Sequence, residues 1–360
     1  MDPKFSVVMS VYNKAKYLER SIYSILGQSV SDFEVVCIDG GSTDGSCEYL
    51  ESIVVKDSRV RLIKQVNQGF SVAKNAGIKE AKSDLIAFLD ADDEWDKDYL
   101  QEILWLYQKY PNANAYLTGY RCITLGRSSI TIYNNNNQSG YIDQYYKQRL
   151  RGWGVHTSSV VIRRSILEKT GLFPNIITSK SARYSWLVNG YGEIICTFPG
   201  FTATGRTVPF NKSISHLNEN IQKYNDLEIE LPGPPAEDQY VHDSIALIGI
   251  YAFSRKVLST WYGNIPNQTT ARIECSPFYP HLIAINTAVY KDVRNNNSNK
   301  YMIRYAQYLS IGIIDNINRL SQKDKISLYN IYKLSEIWGI KHMLFVKLKI
   351  IVWRIRNKFN

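Results

Sequence analysis

Three carboxylates lie within four positions, directly after an apolar run of strand length. The run is Leu85–Leu89, and Asp90, Asp92 and Asp93 follow it. Such a run is typical of a buried central strand, and residues after its carboxyl end face the crevice where open α/β sheets bind ligands. Asp90 and Asp92 offer the hard oxygen ligands that Mg²⁺ or Mn²⁺ takes beside substrate phosphates. The spacing predicts a metal-bound diphosphate; the alternative is a solvated acidic turn in which Asp93 or Asp96 caps the next helix.

Two more polar loops follow buried runs earlier in the chain. Asn13 follows the run Phe5–Val11, and Asp39 follows Phe33–Ile38. Apolar residues at helical spacing come after each loop, a third strand is predicted at Val60–Ile63, and a helix at Ser71–Ala81 precedes the fourth strand. This alternation predicts an α/β fold with a mostly parallel sheet, in which the loops at Asn13, Asp39 and Asp90 share one edge. Each loop can be explained as a turn, but a nucleotide crevice explains all three.

Composition limits the class of protein. The chain has 360 residues, of which 44% are hydrophobic and 21% charged, enough for one large α/β domain with a smaller helical addition. The start lacks the pattern of a signal peptide, and no apolar run reaches the roughly 20 residues of a membrane span. We therefore expect a cytoplasmic protein. Five cysteines without C-x-x-C spacing argue against disulfides and structural zinc.

Four segments together resemble the successive signatures of family 2 glycosyltransferases, which have the GT-A fold. They are Val8–Asn13, Ile38–Gly45, Asn67–Gly77 and Phe88–Asp93, in matching order over about the first hundred residues. The chain departs from the common pattern in two places. Gly40 stands where many members have a second Asp, and Lys74 stands where Arg is commoner. Neither departure removes a group that the chemistry requires.

The resemblance implies a UDP-sugar donor site. By it, Asp39 would contact the uracil, the Tyr12–Asn13 loop would flank the base and ribose, and Asp90 would face the ribose and the sugar. Asp92 would hold Mn²⁺ or Mg²⁺ on the diphosphate. Gly69, Lys74 and Ala91 complete the expected donor site. The resemblance also implies inversion by single displacement, which requires a general base for the acceptor hydroxyl.

Family members carry that base in an acidic pair shortly after a Gly-Leu-Phe turn. Gly171–Phe173 resembles this turn, but the stretch 174–235 that follows looks inserted. Glu237 and Asp238 come just beyond it and open an amphipathic helix, which resembles the Glu-Asp helix of the family. We predict Asp238 as the base. The alternative is an ordinary acidic first helical turn, which the helix dipole favours.

Four further residues are candidates for the acceptor side: Glu237, His156, Trp153 and His242. His242 is one helical turn after Asp238 and could orient it, whereas the ring of Trp153 could support a sugar. For both histidines a structural role is an equal alternative, and for the tryptophan the alternative is core packing.

We divide the chain into a nucleotide-sugar half (1–120), an acceptor half with the insertion (121–290) and a helical C-terminal region (291–360). The segment 337–358 mixes apolar and aromatic residues with lysine and arginine; from Lys341 onward there are six such cations and no acidic residue. It could lie on an anionic membrane surface, or simply pack on the domain. No nucleic-acid-binding module is recognisable, although the net charge is +10.

These observations predict an inverting, metal-dependent transferase for a glycan or polyprenyl-linked acceptor in bacterial surface-polysaccharide synthesis. We expect it to be peripheral at the inner face of the cell membrane. Two other functions stay open: a catalytically silent nucleotide-sugar-binding scaffold, and nucleotide-sugar formation. The latter is disfavoured because no triphosphate-binding loop follows the first strand.

Overall fold

A computed structural model describes residues 2–133, 138–181, 184–199, 206–209, 211, 217–231, 237–263, 265, 301–302 and 304–305. The predicted amphipathic segment 337–358 lies outside the described residues. So does the predicted helical C-terminal region 291–360, apart from residues 301–302 and 304–305. Among the described residues, no helix is long and apolar enough to cross a membrane.

The first ninety residues alternate between strands and helices as predicted. The elements are β1 (Phe5–Val11), α1 (Ala15–Leu26), β2 (Phe33–Asp39), α2 (Ser46–Lys56), β3 (Val60–Lys64), α3 (Gly69–Glu80) and β4 (Leu85–Phe88). β1 pairs in parallel with both β2 and β4, and β2 pairs in parallel with β3. The helix α3 begins two residues before the predicted Ser71, and the side chain of Asn67 accepts a hydrogen bond from the Gly69 N–H.

The rest of the described chain adds eleven strands, five helices and a 3₁₀ turn at Thr157–Ser159. In chain order the elements are β5 (Glu94–Trp95), α4 (Tyr99–Lys109), β6 (Ala115–Thr124), β7 (Arg127–Thr131), β8 (Gly140–Tyr141), α5 (Tyr145–Arg149), β9 (Val160–Arg163), α6 (Arg164–Thr170), β10 (Asn175–Ser179), β11 (Tyr184–Val188), β12 (Ile194–Pro199), β13 (Arg206–Pro209), α7 (Glu219–Gln222), β14 (Leu227–Leu231), α8 (Glu237–Ile248) and β15 (Tyr251–Tyr262).

Ten strands form the central sheet, whose main order is β3-β2-β1-β4-β9-β6-β15-β5. β9 lies antiparallel between β4 and β6, and β15 is parallel to β6. The predicted division at residue 120 falls within β6, so the two halves share one sheet. Apolar side chains on both faces, among them Val7, Val35 and Ile86, are fully buried. This burial explains why the strands appear in the sequence as near-continuous apolar runs.

The predicted insertion, 174–235, contains a separate antiparallel sheet of order β12-β11-β10-β14-β13. It packs on α3, because Val72 shares an apolar cluster with Ile177 and Trp186. Glu228 lies in β14, inside this sheet, and pairs with residues of β10 and β13. The buried Leu227 and Ile229 flank it, and such alternation is the pattern of a strand with one buried face.

Candidate active site

The loops after β1 and β2 are joined by hydrogen bonds at the carboxyl edge of the sheet. Asn13 has a positive φ of 53°; its N–H donates to Ser42 Oγ (3.0 Å) and its Oδ1 accepts from the Thr43 N–H (2.8 Å). The Lys14 N–H donates to Ser46 Oγ (2.9 Å). The loop after β2 thus satisfies N–H groups at the start of α1, which have no partner within their own helix. The two predicted donor loops lie together.

Asp39 offers a free acceptor at this edge. It is 2% exposed, and its Oδ2 accepts from the N–H groups of Gly41 (3.0 Å) and Ser42 (3.1 Å). Its Oδ1 is buried without a hydrogen-bond partner in the described part of the chain. Leaving such an atom unpaired costs about 1–3 kcal/mol, so a ligand N–H would be favoured there. Tyr12, 45% exposed, lies beside the neighbouring Gly40, where a Cβ atom would be 3.8 Å from the tyrosine ring.

The acidic loop after β4 meets a histidine from the acceptor half. Ligand atoms of Asp90, Asp93 and His156 all lie within 4.8 Å of one another. Asp93 is fully buried; its Oδ2 accepts from Ser158 Oγ (2.6 Å) and its Oδ1 from the Tyr262 N–H (3.3 Å). Burial, followed by the charges of neighbouring aspartates, raises the pKa of Asp93 well above its ordinary value. A cation at this cluster would favour the ionised form.

Asp92 has a different partner. Lys14 Nζ lies 2.5 Å from its Oδ2, and both side chains are largely buried. The Arg20 guanidinium donates to the Asp92 carbonyl, lies 3.7 Å from the centre of the Tyr262 ring and is 3.3 Å from Glu94. The carboxylates of Asp90 and Asp93 and the imidazole of His156 form a donor set that suits Mn²⁺ or Mg²⁺. A metal ion that took Asp92 Oδ2 as a ligand would compete with the ammonium of Lys14 for that oxygen.

Asp238, the predicted base, lies at the start of α8. Its Oδ2 accepts from Thr157 Oγ1 (3.3 Å) and its Oδ1 from the Gln239 N–H (2.8 Å). Burial alone would raise the pKa of Asp238, but the charge that His242 carries when protonated, the charge of Lys74 and the hydrogen bond from the Gln239 N–H outweigh burial and lower it. The carboxylate is therefore ionised at neutral pH, as a proton acceptor must be.

Lys74 connects the donor and acceptor sides. Its ammonium is 3.7 Å from Asp90 Oδ1 and 3.7 Å from Glu237 Oε1, and the residue is 5% exposed. Burial lowers its pKa, but the charges of Asp90, Glu237 and Asp238 outweigh that effect and raise it to about 12. Lys74 lies on α3, the helix that begins at Gly69. Residues predicted from separate motifs thus meet around one buried cation.

The remaining predicted residues have mixed surroundings. Ala91 is buried, and its carbonyl accepts from Ser21 Oγ (2.9 Å). Trp153 packs edge-on against Tyr133 and Tyr145 in the core, which favours the packing interpretation over a sugar platform. His242 is fully buried, and burial lowers its pKa to about 4, so its ring is neutral.

His156 lies between two aromatic rings that sequence reasoning did not single out. The ring centres of Tyr120 and Trp261 are 5.3 and 5.7 Å from that of the histidine. Trp261 and Tyr262 end β15, the last strand in the described part of the chain, and the Tyr262 N–H donates to Asp93 from 169 positions away. Only their aromatic character, after a strand-like run, was visible in the sequence.

Glu237 leads to a prediction on stability. It is 6% exposed, and burial raises its pKa to about 8 although Lys74 opposes the shift. Because the pKa of Glu237 is higher in the folded than in the unfolded state, its protonation stabilises the fold. This stabilisation is complete below the ordinary pKa of 4.5 and is lost as the pH rises through about 8. The glutamine of Glu237→Gln does not ionise, so the variant does not lose this stability. Relative to the wild type, its free energy of unfolding should therefore rise by about 2–4 kcal/mol as the pH is raised from 5 to 8. Urea denaturation at several pH values measures the difference.

The exposed Glu193 provides the control, because its replacement by glutamine removes the same charge from a solvated position. Glu193→Gln should follow the wild-type profile at every pH. A constant difference between Glu237→Gln and the wild type would mean that Glu237 is ionised in the folded protein throughout this range.

Comparison with known proteins decides the family. The model of glycosyl transferase family 2 matches residues 6–171. An uncharacterized glycosyltransferase of Haemophilus influenzae is 44% identical over 198 residues, which cover 53% of this chain and 73% of that protein. The chain belongs to glycosyltransferase family 2. A putative teichuronic acid biosynthesis glycosyltransferase of Bacillus subtilis, TuaG, is 30% identical over 51% of this chain and 71% of its own length.

Other relatives match over shorter parts. An uncharacterized glycosyltransferase of Nostoc is 43% identical over 106 residues, so the chain spans only 33% of its length. Among solved structures, Staphylococcus aureus TarS in complex with UDP-GlcNAc superimposes with a TM-score of 0.59 at 14% identity, covering 91% of this chain and 79% of that one. The likeness confirms the predicted GT-A fold. The comparisons establish the family and the fold, and the roles of the site residues stay predictions.

Proposed function

We propose that this family 2 enzyme transfers a sugar, with inversion, from a UDP-sugar to a glycan hydroxyl and needs a divalent metal ion. The observation that carries the proposal is the position of Lys74. Its ammonium lies equally far from Asp90 on the donor side and Glu237 beside the candidate base. Donor and acceptor groups therefore meet at one buried point of the fold. The UDP-GlcNAc complex of the structural neighbour TarS supports a UDP-linked donor.

The donor would bind along the edge formed by the loops after β1, β2 and β4. The unpaired Oδ1 of Asp39 offers an acceptor for the N–H of a pyrimidine base, and the exposed ring of Tyr12 offers a flat surface beside it. Asn13 acts indirectly, since its side chain holds the loop after β2. Recognition of uracil would then depend on one buried carboxylate oxygen.

The residues of the acidic loop fit a divalent ion on the diphosphate. Asp90 and Asp92, together with Asp93 and His156, are the residues that would hold it. When bound, such an ion neutralises the charge that develops on the departing diphosphate. Lys14, once displaced from Asp92, and Lys74 would be cations close to the same phosphates.

Asp238 would act as the general base. Its ionised carboxylate takes the proton of the acceptor hydroxyl as the oxygen attacks the anomeric carbon. The bond from that carbon to the diphosphate oxygen breaks on the opposite face, so the configuration inverts. Thr157 orients one carboxylate oxygen by its hydrogen bond. His242, one turn further along α8, is buried and neutral at neutral pH, so it adds no positive charge beside the base.

A glycan or polyprenyl-linked acceptor stays a proposal supported by relatives such as TuaG, named for teichuronic acid biosynthesis. Contact of the segment 337–358 with an anionic membrane, which would bring the enzyme to a lipid-linked acceptor at the inner face, is likewise a proposal. It rests on the cations and aromatic residues of that segment alone.

A donor screen tests the proposed function. We expect UDP-sugars to raise the melting temperature in the presence of Mn²⁺ and to be hydrolysed slowly to UDP. GDP- and dTDP-sugars should do neither to the same extent. The measurement is thermal shift and nucleotide release for each donor, with Mn²⁺ and with EDTA. Equal stabilisation by all three nucleotides, or full activity in EDTA, would contradict the proposed donor or the metal dependence respectively.

A further inference from the structure

Arg149, the last residue of α5, contacts three segments on the acceptor side. Its Nε donates to Tyr305 Oη (2.8 Å) and lies 3.5 Å from Asp243 Oδ1 on α8. Its Nη1 donates to the carbonyl of Trp153 (3.4 Å). The side chain is 14% exposed. One guanidinium therefore joins the helix of the candidate base, the loop that leads to His156, and a residue of the C-terminal region.

The contact between Arg149 and Asp243 matters for the position of α8. It is fully buried and also accepts from the hydroxyls of Tyr145 (2.8 Å) and Tyr305 (3.5 Å). Burial raises the pKa of Asp243, and the charge of Arg149 opposes the shift. Burying a carboxylate without such partners costs free energy. The favoured position of α8 is therefore the one in which Asp243 contacts Arg149 and the two hydroxyls. These contacts set the position of the helix.

The same helix and loop meet again at Asp238. Thr157, in the loop, donates to the carboxylate, and the side chain of Gln239 donates to the carbonyl of Val155 (3.2 Å). Asp238 lies about one and a half turns of helix before Asp243 on α8, and Thr157 contacts its carboxylate through a single hydrogen bond of 3.3 Å. A small shift of α8 against the loop would therefore displace the carboxylate from Thr157.

We propose that Arg149 is a positioning residue for the candidate base: through Asp243 and the Trp153 carbonyl it fixes α8 against the loop 152–157. The inference rests on the proposed role of Asp238 as the base and adds Arg149 as the residue that positions it. Arg149 acts on the reaction through the backbone of α8 and not by touching substrate. Tyr305, which accepts from Arg149 and donates to Asp243, brings the C-terminal region into the same arrangement.

The test is Arg149→Lys, assayed with water as acceptor through release of UDP from UDP-GlcNAc. Lysine keeps the charge but lacks the planar guanidinium that reaches three partners at once. We expect kcat to fall about 10- to 100-fold, with KM for the donor within about twofold. Arg164→Lys is the matched control. The guanidinium of Arg164, also in the acceptor half, donates to the carbonyls of Ile78, Ala81 and Ser83. The control should retain nearly the wild-type kcat.

A double-mutant cycle separates positioning from general damage to the fold. If Arg149 acts through the base, Arg149→Lys should cause no further loss in an Asp238→Asn background. Equal losses in both backgrounds would overturn the inference while leaving the role of Asp238 intact. Wild-type hydrolysis by Asp238→Asn would overturn the proposed function and, with it, this inference.

Tyr305→Phe keeps the inference testable should Arg149→Lys fold poorly. It removes a single hydroxyl, and we expect kcat to fall about three- to tenfold, again only when Asp238 is present. Circular dichroism and the UDP-induced rise in melting temperature establish that each variant is folded. An unchanged kcat for Tyr305→Phe and an additive loss for Arg149→Lys would both count against positioning by this cluster.

Discussion

Replacing Asp238 with asparagine is expected to slow sugar transfer by roughly 10²–10⁴-fold. Asparagine keeps the shape of the side chain and can still accept the hydrogen bond from Thr157, but it cannot take a proton from the acceptor. The lowered pKa of Asp238 means that the wild-type group is ionised across the physiological range, so the full effect should appear at neutral pH. Steady-state UDP release measures the rate, and calorimetry with UDP measures donor binding, which should change little.

Glu193→Gln is the matched control for that experiment. Glu193 is an exposed carboxylate between β11 and β12 in the predicted insertion, where Asn189 Nδ2 donates to it (2.8 Å). Its loss should leave transfer unchanged. If Glu193→Gln were inactive and Asp238→Asn fully active, the insertion would carry the base, and our assignment of the acceptor half would be wrong.

The position of Asp238 explains why the sequence indicates it as the candidate base. A carboxylate in the first turn of an amphipathic helix interacts favourably with the helix dipole, and the apolar face of that helix fixes its orientation. Val241 and Ile245 lie on that helix and are fully buried. Both signals are local in sequence, and neither depends on knowing which strand lies beside the helix.

The donor edge was predictable for a similar reason. Apolar runs such as Phe5–Val11 end at polar loops, and parallel strands bring their carboxyl ends to one edge whatever their order. The loops at Asn13 and Asp39 are in fact joined by side-chain hydrogen bonds. Asp39 keeps an unpaired buried oxygen there, which no composition or periodicity could indicate.

Contacts between residues that are far apart in the sequence could not be predicted. Ser158 donates to Asp93 across 65 positions, and Lys14 pairs with Asp92 across 78. Such pairs depend on how β9 and α1 lie against the loop after β4. Helical or strand periodicity carries no information on the distance between elements that are far apart in the sequence. Arg149 and Asp243 belong to the same class, since each looks like an ordinary charged residue until the pairing is known.

Asp92→Asn should abolish the additional thermal stabilisation that Mn²⁺ gives to the UDP complex. Asparagine preserves the volume at this buried position but loses the charge that a divalent ion requires. Since Asp92 is paired with Lys14 in the fold, asparagine also disturbs the loop less than alanine would. The expected result is a melting temperature with UDP that no longer differs between Mn²⁺ and EDTA. Equal Mn²⁺-dependent stabilisation of the variant and the wild type would remove Asp92 from the metal site.

A substitution of Lys14 tests the same metal site through the opposite effect, tighter binding of the metal ion. If its ammonium competes with a metal ion for Asp92, Lys14→Met should bind Mn²⁺ roughly tenfold more tightly, which corresponds to about 1.4 kcal/mol. The free Mn²⁺ signal in electron paramagnetic resonance measures this binding without nucleotide or turnover. Lys16→Met is the control, because Lys16 is exposed on the same helix and its ammonium lies 5.8 Å from the centre of the Tyr17 ring. Tighter binding in Lys14→Met alone would place the ion on Asp92, whereas no change in either variant would mean that the metal ion uses Asp90, Asp93 and His156 without Asp92.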